Sequence, residues 1–349
     1  MTVETPPSGI PEERSENAIE LKDVAGLSQG QIIRRRFLRH RGAMAGLAVI
    51  ALIALLAITS IGVGPVPGWW KHAPSDQNPL VNPQGTPTMG LPTWLGGDGL
   101  AFGDAPFGQD ELGRDIFART MQGTQTSLLV MIVVGSVSAL LGMAVGALAG
   151  FYRGATDQVL MRLTDLIITF PLIVIGAVLG KMVGAAGPFI LAVVLGAVSW
   201  TTLARLVRAE FLSLREREFV DAARVAGASD FRIIVKHMIP NAMGVVIVNT
   251  TLLMAAAVIL EASLSYLGFG IQTGTSLGKM ISDYEQAFNT RPWLFWWPGL
   301  FVIALALSIN FVGDGLRDAF DPRQKKIPSA RKMARAAGRM ARQDAKATS

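Results

Sequence analysis

The chain has 349 residues, of which 50% are hydrophobic and 17% charged, with a formal net charge of +6. So apolar a composition, with its positive mean hydropathy, excludes an ordinary soluble globular domain. Cysteine is absent, which removes disulfides, thiolate nucleophiles and cysteine metal sites, and three scattered histidines, His40, His72 and His237, argue against a histidine metal centre.

In chain order, residues 1–28 are rich in Pro, Ser and Glu and are expected to be a disordered tail. The stretch QIIRRRFLRHR, residues 31–41, sets Ile32, Ile33, Phe37 and Leu38 along one side and offers Arg34, Arg35, Arg36, Arg39 and Arg41 to lipid headgroups. It reads either as an N-terminal interfacial helix or as the positive flank that orients the first span. Runs of roughly 20 or more mainly apolar residues then occur at 42–63, 124–151, 158–180, 188–209, 241–268 and 294–315, each able to cross a bilayer as a helix. The expected fold class is all-α, a polytopic membrane protein with six transmembrane helices. Because the first run follows about forty polar residues, it is expected to be a retained anchor and not a cleaved leader.

Residues 64–123, dense in Pro, Gly and Trp from GPVPGWW onward, are expected to form an ordered loop. Residues 270–293 are too polar to cross and too long for a plain turn, and predict a short re-entrant or capping helix. The chain thus divides into a tail at 1–28, an interfacial helix, first span and long loop at 29–123, a five-helix core at 124–315 with a connecting loop at 210–240, and a basic tail at 316–349. With the amino terminus in the cytoplasm, 26 of the 32 Lys and Arg fall inside, and Lys71, Arg114, Arg119, Lys181, Lys279 and Arg291 fall outside. That asymmetry orients six spans with both termini cytoplasmic, and it explains the net charge without a nucleic-acid partner. Glycines recur at four-residue spacing, Gly42 and Gly46, Gly142, Gly146 and Gly150, then Gly176, Gly180 and Gly184, a pattern that lets helices approach closely in lipid.

The segment from Arg215 to Asn241 is charged yet strongly helical, and it lies between two spans. Within REREFVDAARVA, residues 215–226, Phe219, Ala222, Ala223 and Ala226 share a helical face, while Arg215, Glu216, Arg217, Glu218, Asp221 and Arg224 keep the rest wet. Gly227 suits a left-handed C-cap, Ser229 or Asp230 suits the next N-cap, and Pro240 is expected to end the second helix. A helix, glycine turn, helix unit with a shallow alanine stripe would let a partner approach and take Phe219 as an anchor. The plain alternative is a connector resting on the bilayer surface.

DAARVAGASDFRIIVKHMIPN, residues 221–241, resembles the EAA loop of ATP-binding-cassette importer permeases, with Asp221, Ala222, Ala223, Gly227, His237, Ile239 and Pro240 at the matching positions. Asp replaces Glu, His replaces Ile and Ile replaces Leu. PFGQDELGRDIFART, residues 106–120, and FVGDGLRDAFDPR, residues 311–323, are similar to the C-type permease subunits of dipeptide and oligopeptide importers, and the likeness covers roughly residues 30–325. It implies a type I importer permease fold in a bacterial inner membrane. It also implies that the chain forms half of a translocation pathway beside a second homologous permease. Two ATPase subunits would bind ATP and Mg, an extracytoplasmic binding protein would deliver peptide, and Phe219, Asp221, Ala222, Ala223 and Gly227 would dock on an ATPase.

No catalytic site and no cofactor are expected in this chain. TGTSLGKM, residues 273–280, lacks the first Gly and the Ser or Thr after Lys279 that a P-loop requires, and no HExxH or GxSxG stretch occurs. Glu261 and Asn249 are the candidates for the substrate pathway, Glu261 because an ionisable group without a local basic partner in an apolar helix is functional by default. Asp165 is expected to pair with Arg162 three residues earlier. A nickel or other small-ligand importer of the same subfamily is the near alternative. An ion-coupled secondary transporter is a more distant one, since inverted repeats or broken helices with charged midplane residues are not evident.

Overall fold

A computed structural model describes residues 29–90, 99 and 101–320. The expected tails at 1–28 and from 321 onward lie outside the described residues. The regular secondary structure of the described chain is almost wholly helical, and its strands are the two-residue pair β1 (Gly62–Val63) and β2 (Val66–Pro67), a single tight hairpin.

The first helix, α1 (Gln29–Arg39), stops at His40, whose extended backbone (φ −81°, ψ 103°) breaks the chain direction before α2 (Arg41–Ile61). His40 Nδ1 accepts the Ala43 N–H at 3.0 Å and so caps the new helix, while its Nε2 faces Asp318 at 3.3 Å. α1 is therefore a separate element lying along the last helix and not merely the leading turn of the first span.

The second span starts at Ile116, not 124, because Asp115 caps α3 (Ile116–Tyr152) through the Phe117 N–H at 3.0 Å. Its early polar residues are satisfied inside the protein: Gln125 Nε2 donates to the carbonyls of Ala57 and Gly62 at 2.7 and 2.8 Å. At 37 residues, α3 is about 55 Å long, well beyond the roughly 30 Å of hydrocarbon it must cross.

The runs expected at 158–180 and 188–209 are not single rods. The first is α4 (Gly154–Thr169) and α5 (Leu172–Val183), which with Gly184–Ala186 meet at 82°. Pro171 has no N–H for the ladder and forces Phe170 into an extended conformation (φ −89°, ψ 134°). The second is α6 (Pro188–Ser199) and α7 (Thr201–Arg215), bent by 44° about Trp200. After the short helix α8 (Glu218–Val225) comes α9 (Asp230–Tyr266), then α10 (Leu277–Asp283), the short helix expected in the polar segment, and α11 (Trp293–Phe320). Among the described residues four unbroken helices, α2, α3, α9 and α11, are long and apolar enough to cross a membrane, and six spans result when each bent pair counts as one.

The glycine rows do what their spacing suggests. A Cβ on Gly146 would lie 2.5 Å from the Ala204 carbonyl oxygen, and one on Gly150 would lie 2.6 Å from Phe211 Cβ, so α3 and α7 touch backbone to side chain along their length. Gly46 performs the same service for α2 against the Ser308 carbonyl of α11.

At the end of the bundle that carries α10, the 62–115 loop is fastened by a buried acid. Asp110 accepts the Leu112 and Arg114 N–H groups at 3.0 and 2.8 Å, Arg114 Nε at 2.6 Å and the Tyr284 hydroxyl at 2.8 Å, with Arg119 alongside at 3.6 Å. Gln109, equally buried, holds Val81, Pro79 and Gly113. Phe107 stacks on Trp297 at 3.8 Å between centroids. The motif at 106–120 is thus a fastening between the loop, α3, α10 and α11.

Burial by itself would favour the neutral acid, but the Arg114 N–H, the Tyr284 hydroxyl and the Arg114 guanidinium outweigh it and hold the Asp110 carboxyl below the usual carboxylate range. A depressed folded value means that Asp110 adds stability above its unfolded value, and that this is lost as pH falls through the folded one. Asp115, raised by its own burial, has the opposite sign and is relieved of a cost as acid protonates it. Amide hydrogen exchange across residues 105–115 should therefore stay slow to a pH below the ordinary carboxylate range and quicken beneath it. Asp110→Ala should loosen the fastening at neutral pH by about 3 kcal/mol and abolish that acid step.

Candidate docking surface and interior polar sites

The segment expected to dock is built on a buried core at the opposite end of the bundle. Val220, Ile233 and Met238 are fully buried against Phe151 of α3, Val207, Phe211 and Leu214 of α7, and Ala242 and Val246 of α9. Arg215 donates to the Phe151 carbonyl at 2.6 Å and lies over the Phe151 ring, with Arg224 on the same ring at 6.0 Å. Arg153 and Glu216 pair at 2.5 Å. α8 is thereby keyed to the ends of three long helices at once.

The turn after α8 has the expected conformation. Gly227 is left-handed at φ +78°, the Ala228 N–H bonds the Ala223 carbonyl at 3.0 Å and the Gly227 N–H bonds that of Arg224 at 2.9 Å, the paired bonds of a Schellman cap. Ser229 then caps the next helix through the Arg232 N–H. Two expectations are corrected. Pro240 does not end that helix: a π-helical turn over Ile233–Met238, with the Ile239 N–H reaching back to Ile234, widens the ladder enough to carry the proline inside one 37-residue α9. The apolar stripe is also split. Val220 and half-buried Ala223 face the bundle, whereas Phe219, Ala222 and Ala226 face outward with Asp221, which pairs with Arg224 at 3.1 Å.

The sequence reading missed three residues that complete the outward patch. Val225 is 91% exposed and Phe231 75% exposed, with Val235 also exposed, against 38% for Phe219. The available signal was large apolar side chains flanking a glycine turn inside a charged segment. Around Gly227 itself there is open space, so its constraint is backbone conformation and not crowding.

The pathway candidates are placed differently. Glu261 is wholly buried within this one chain. Ser276 and Ser265 donate to its Oε1 at 2.6 and 2.8 Å, and Ser127 reaches Oε2 at 3.4 Å. Ser265 also accepts the Ile271 N–H, so the carboxyl joins α3 and α9 to the entrance of α10. The same seam is packed by glycines: a Cβ on Gly278 would meet the Ala262 carbonyl at 2.1 Å, and one on Gly123 would meet Leu277 at 2.9 Å. Asn249 is half-buried and donates to the Val245 carbonyl of its own helix at 2.8 Å. Asp165 pairs with Arg205 of α7 at 2.5 Å and not with Arg162. Among the described residues no cluster of three or more His, Asp or Glu is arranged to hold a metal.

Replacing Glu261 with Ala would leave buried serine hydroxyls without an acceptor, a cost of about 1–3 kcal/mol, whereas Gln keeps an acceptor in place. Amide exchange in α10 should therefore quicken by roughly tenfold or more in Glu261→Ala and change little in Glu261→Gln.

Residues 142–326 match the family described as binding-protein-dependent transport system inner membrane component, and residues 28–86 match the N-terminal transmembrane domain of oligopeptide transport permease C. The chain is 35% identical over 302 residues to the oligopeptide transport system permease protein OppC of Mycobacterium bovis, covering 86% of this chain and 97% of that protein. It is also 35% identical over 314 residues to the protein of the same name from Haemophilus influenzae, covering 90% and 94%. The helices broken at Pro171 and Trp200 thus lie within the stretch that matches a permease family, and the family match does not favour an ion-coupled carrier. With six apolar spans, an all-helical fold and alignment along most of its length, the chain belongs to the family of inner-membrane permease components of binding-protein-dependent ABC transport systems, of the oligopeptide permease C type.

Proposed function

We propose that this chain is the membrane-spanning subunit of an ATP-driven importer of dipeptides or oligopeptides, forming half of the translocation pathway and receiving ATPase motion through α8. The second half comes from a homologous permease, two ATPase subunits bind ATP and Mg beneath the pair, and an extracytoplasmic binding protein delivers peptide. By the distribution of Lys and Arg, α8 and both termini lie in the cytoplasm and α10 lies outside. Relatives named as oligopeptide permeases support peptide as the cargo.

The observation that carries the coupling reading is the exposed patch of Phe219, Ala222, Val225 and Phe231 on a segment whose other side is buried by Val220 and Ile233. An apolar anchor set next to small residues is the kind of surface that seats in a groove of a partner. Ala222 and Gly227 keep the approach open, and Asp221 with Arg224 sits at its edge. A force on the patch would be delivered through Val220 to the shared core of α3, α7 and α9.

Because the chain has no cysteine, single cysteines report its topology directly. Val225→Cys should react with a membrane-impermeant thiol reagent only from the cytoplasmic side and become protected when the ATPase subunits bind, while Phe102→Cys, 72% exposed, should react only from outside. Val225→Asp should leave the subunit folded, since the side chain is exposed, yet lower uptake and peptide-stimulated ATP hydrolysis by about tenfold or more. Wild-type rates in that variant would argue against coupling through this surface.

A further inference from the structure

The bent arm made of α4 and α5 is the least covered part of the subunit. Thr164 is the one buried residue of α4, and Gly176 and Gly180 are the buried residues of α5. The arm leaves the α8 end of the bundle, where Arg208 holds Asp157. It arrives at the α10 end, where Gly180 and Gly184 lie against the carbonyls of Phe269 and Gly270. Its 82° break at Phe170 and Pro171 falls between those ends and is exposed. Interrupted backbone at membrane depth is tolerated where protein covers it or a water-filled cavity passes, not against acyl chains. This face therefore looks onto protein or water.

Beyond the break, on the α10 side, α5 and the segment after α9 flank an open groove of about 590 Å³. Val174, Val178 and Met182 rise along one ridge of α5, and Leu267 and Phe269 form the facing wall. The walls are fixed in place: a Cβ on Gly180 would lie 1.8 Å from the Phe269 carbonyl oxygen. Lys181 stands among these apolar side chains, exposed, with no hydrogen-bond or ion-pair partner among the described residues. A lone cation on an otherwise apolar wall calls for an anion that carries apolar groups with it.

We infer that Lys181 receives the terminal carboxylate of the transported peptide while the groove accepts an adjoining apolar side chain. This rests on the peptide-importer reading and names a contact on its pathway. A lipid headgroup would satisfy the charge but would not select among peptides, and an acidic side chain of the second permease would make Lys181 an assembly contact and not a substrate contact.

The test uses the complete assembly in proteoliposomes with its binding protein and ATP. The probes are an apolar tripeptide and its C-terminal amide, both at concentrations that saturate the binding protein. In the wild type the free acid should be favoured. Lys181→Gln should lower the acid-to-amide uptake ratio by about tenfold through loss of acid uptake alone, and Lys181→Arg should restore most of it. Acid and amide falling together in Lys181→Gln would overturn the assignment in favour of a subunit contact, and an unchanged ratio with unchanged rates would overturn it in favour of a lipid-facing lysine. If the wild-type assembly imports neither probe, the peptide reading itself falls and this assignment with it.

Discussion

The close approach of α3 to α7 is the contact from which the rest of the subunit is hung. In a bilayer the hydrophobic effect does not draw helices together, so association depends on dispersion contacts and on backbones that can come near each other. Gly142, Gly146 and Gly150 supply that, laying one face of a 37-residue helix against Leu203, Ala204, Val207 and Phe211. The same stretch of α3 ends at Phe151, whose ring and carbonyl anchor Arg215. The seat of α8 thus exists because the glycine row brings α3 and α7 to a common end.

In the proposed coupling, the route of a mechanical signal starts from that seat. Full burial of Val220 is worth about 1.5–3 kcal/mol, and its loss would free α8 from the core. While it is in place, α8 shares a core with the ends of α3 and α7 and packs on the start of α9. The π turn at Ile233–Met238 lies in this path, between the docking surface and the long run of α9. Its wider ladder admits Pro240 within one continuous helix, so Phe231 and the long run of α9 belong to the same element. A flexible connector in the same place would expose an identical patch and transmit nothing.

Much of this was legible in the sequence. Six apolar runs, the four-residue glycine spacing, the left-handed Gly227 and the short helix in 270–293 follow from local rules that the tertiary structure does not override. The misreadings have specific causes. Pro171 lies inside an apolar run, where hydropathy sees continuity and the missing N–H goes unnoticed, so a span was expected where an 82° bend occurs. Pro240 was given the opposite weight, because a π turn has no sequence signature that outranks a proline. On α8 the alanines look alike from either side, and only the core of α3, α7 and α9 decides that Val220 turns inward and Ala222 outward. Glu261 carries a charge in the sequence, and Ser265 four residues on is within reach of local spacing, but Ser127 of α3, 134 positions away, and Ser276 before α10 are gathered only by the tertiary fold.

The two ends of the subunit are built for different duties. At the α10 end, Asp110 and Glu261 each gather donors from separate elements, and removing either acid strands several buried groups at once. That end resists deformation. The α4 and α5 arm has fewer such ties: the ion pairs of Asp157 with Arg208 and Asp165 with Arg205 lie on the α8 side of the break, and the Gln272 N–H bonds the Gly184 carbonyl at 3.2 Å on the α10 side. Beyond Pro171 the arm is held by packing of its glycines against Leu264, Phe269 and Gly270. In the proposed coupling, a motion begun at α8 meets a cap tied by Asp110 and Glu261 at one end and a bent arm with few polar ties along the side. Because Gly180 and Gly184 tie α5 to that cap, deformation of the arm concentrates at the exposed break at Phe170 and Pro171, and the wall of the proposed groove moves with the cap and not against it.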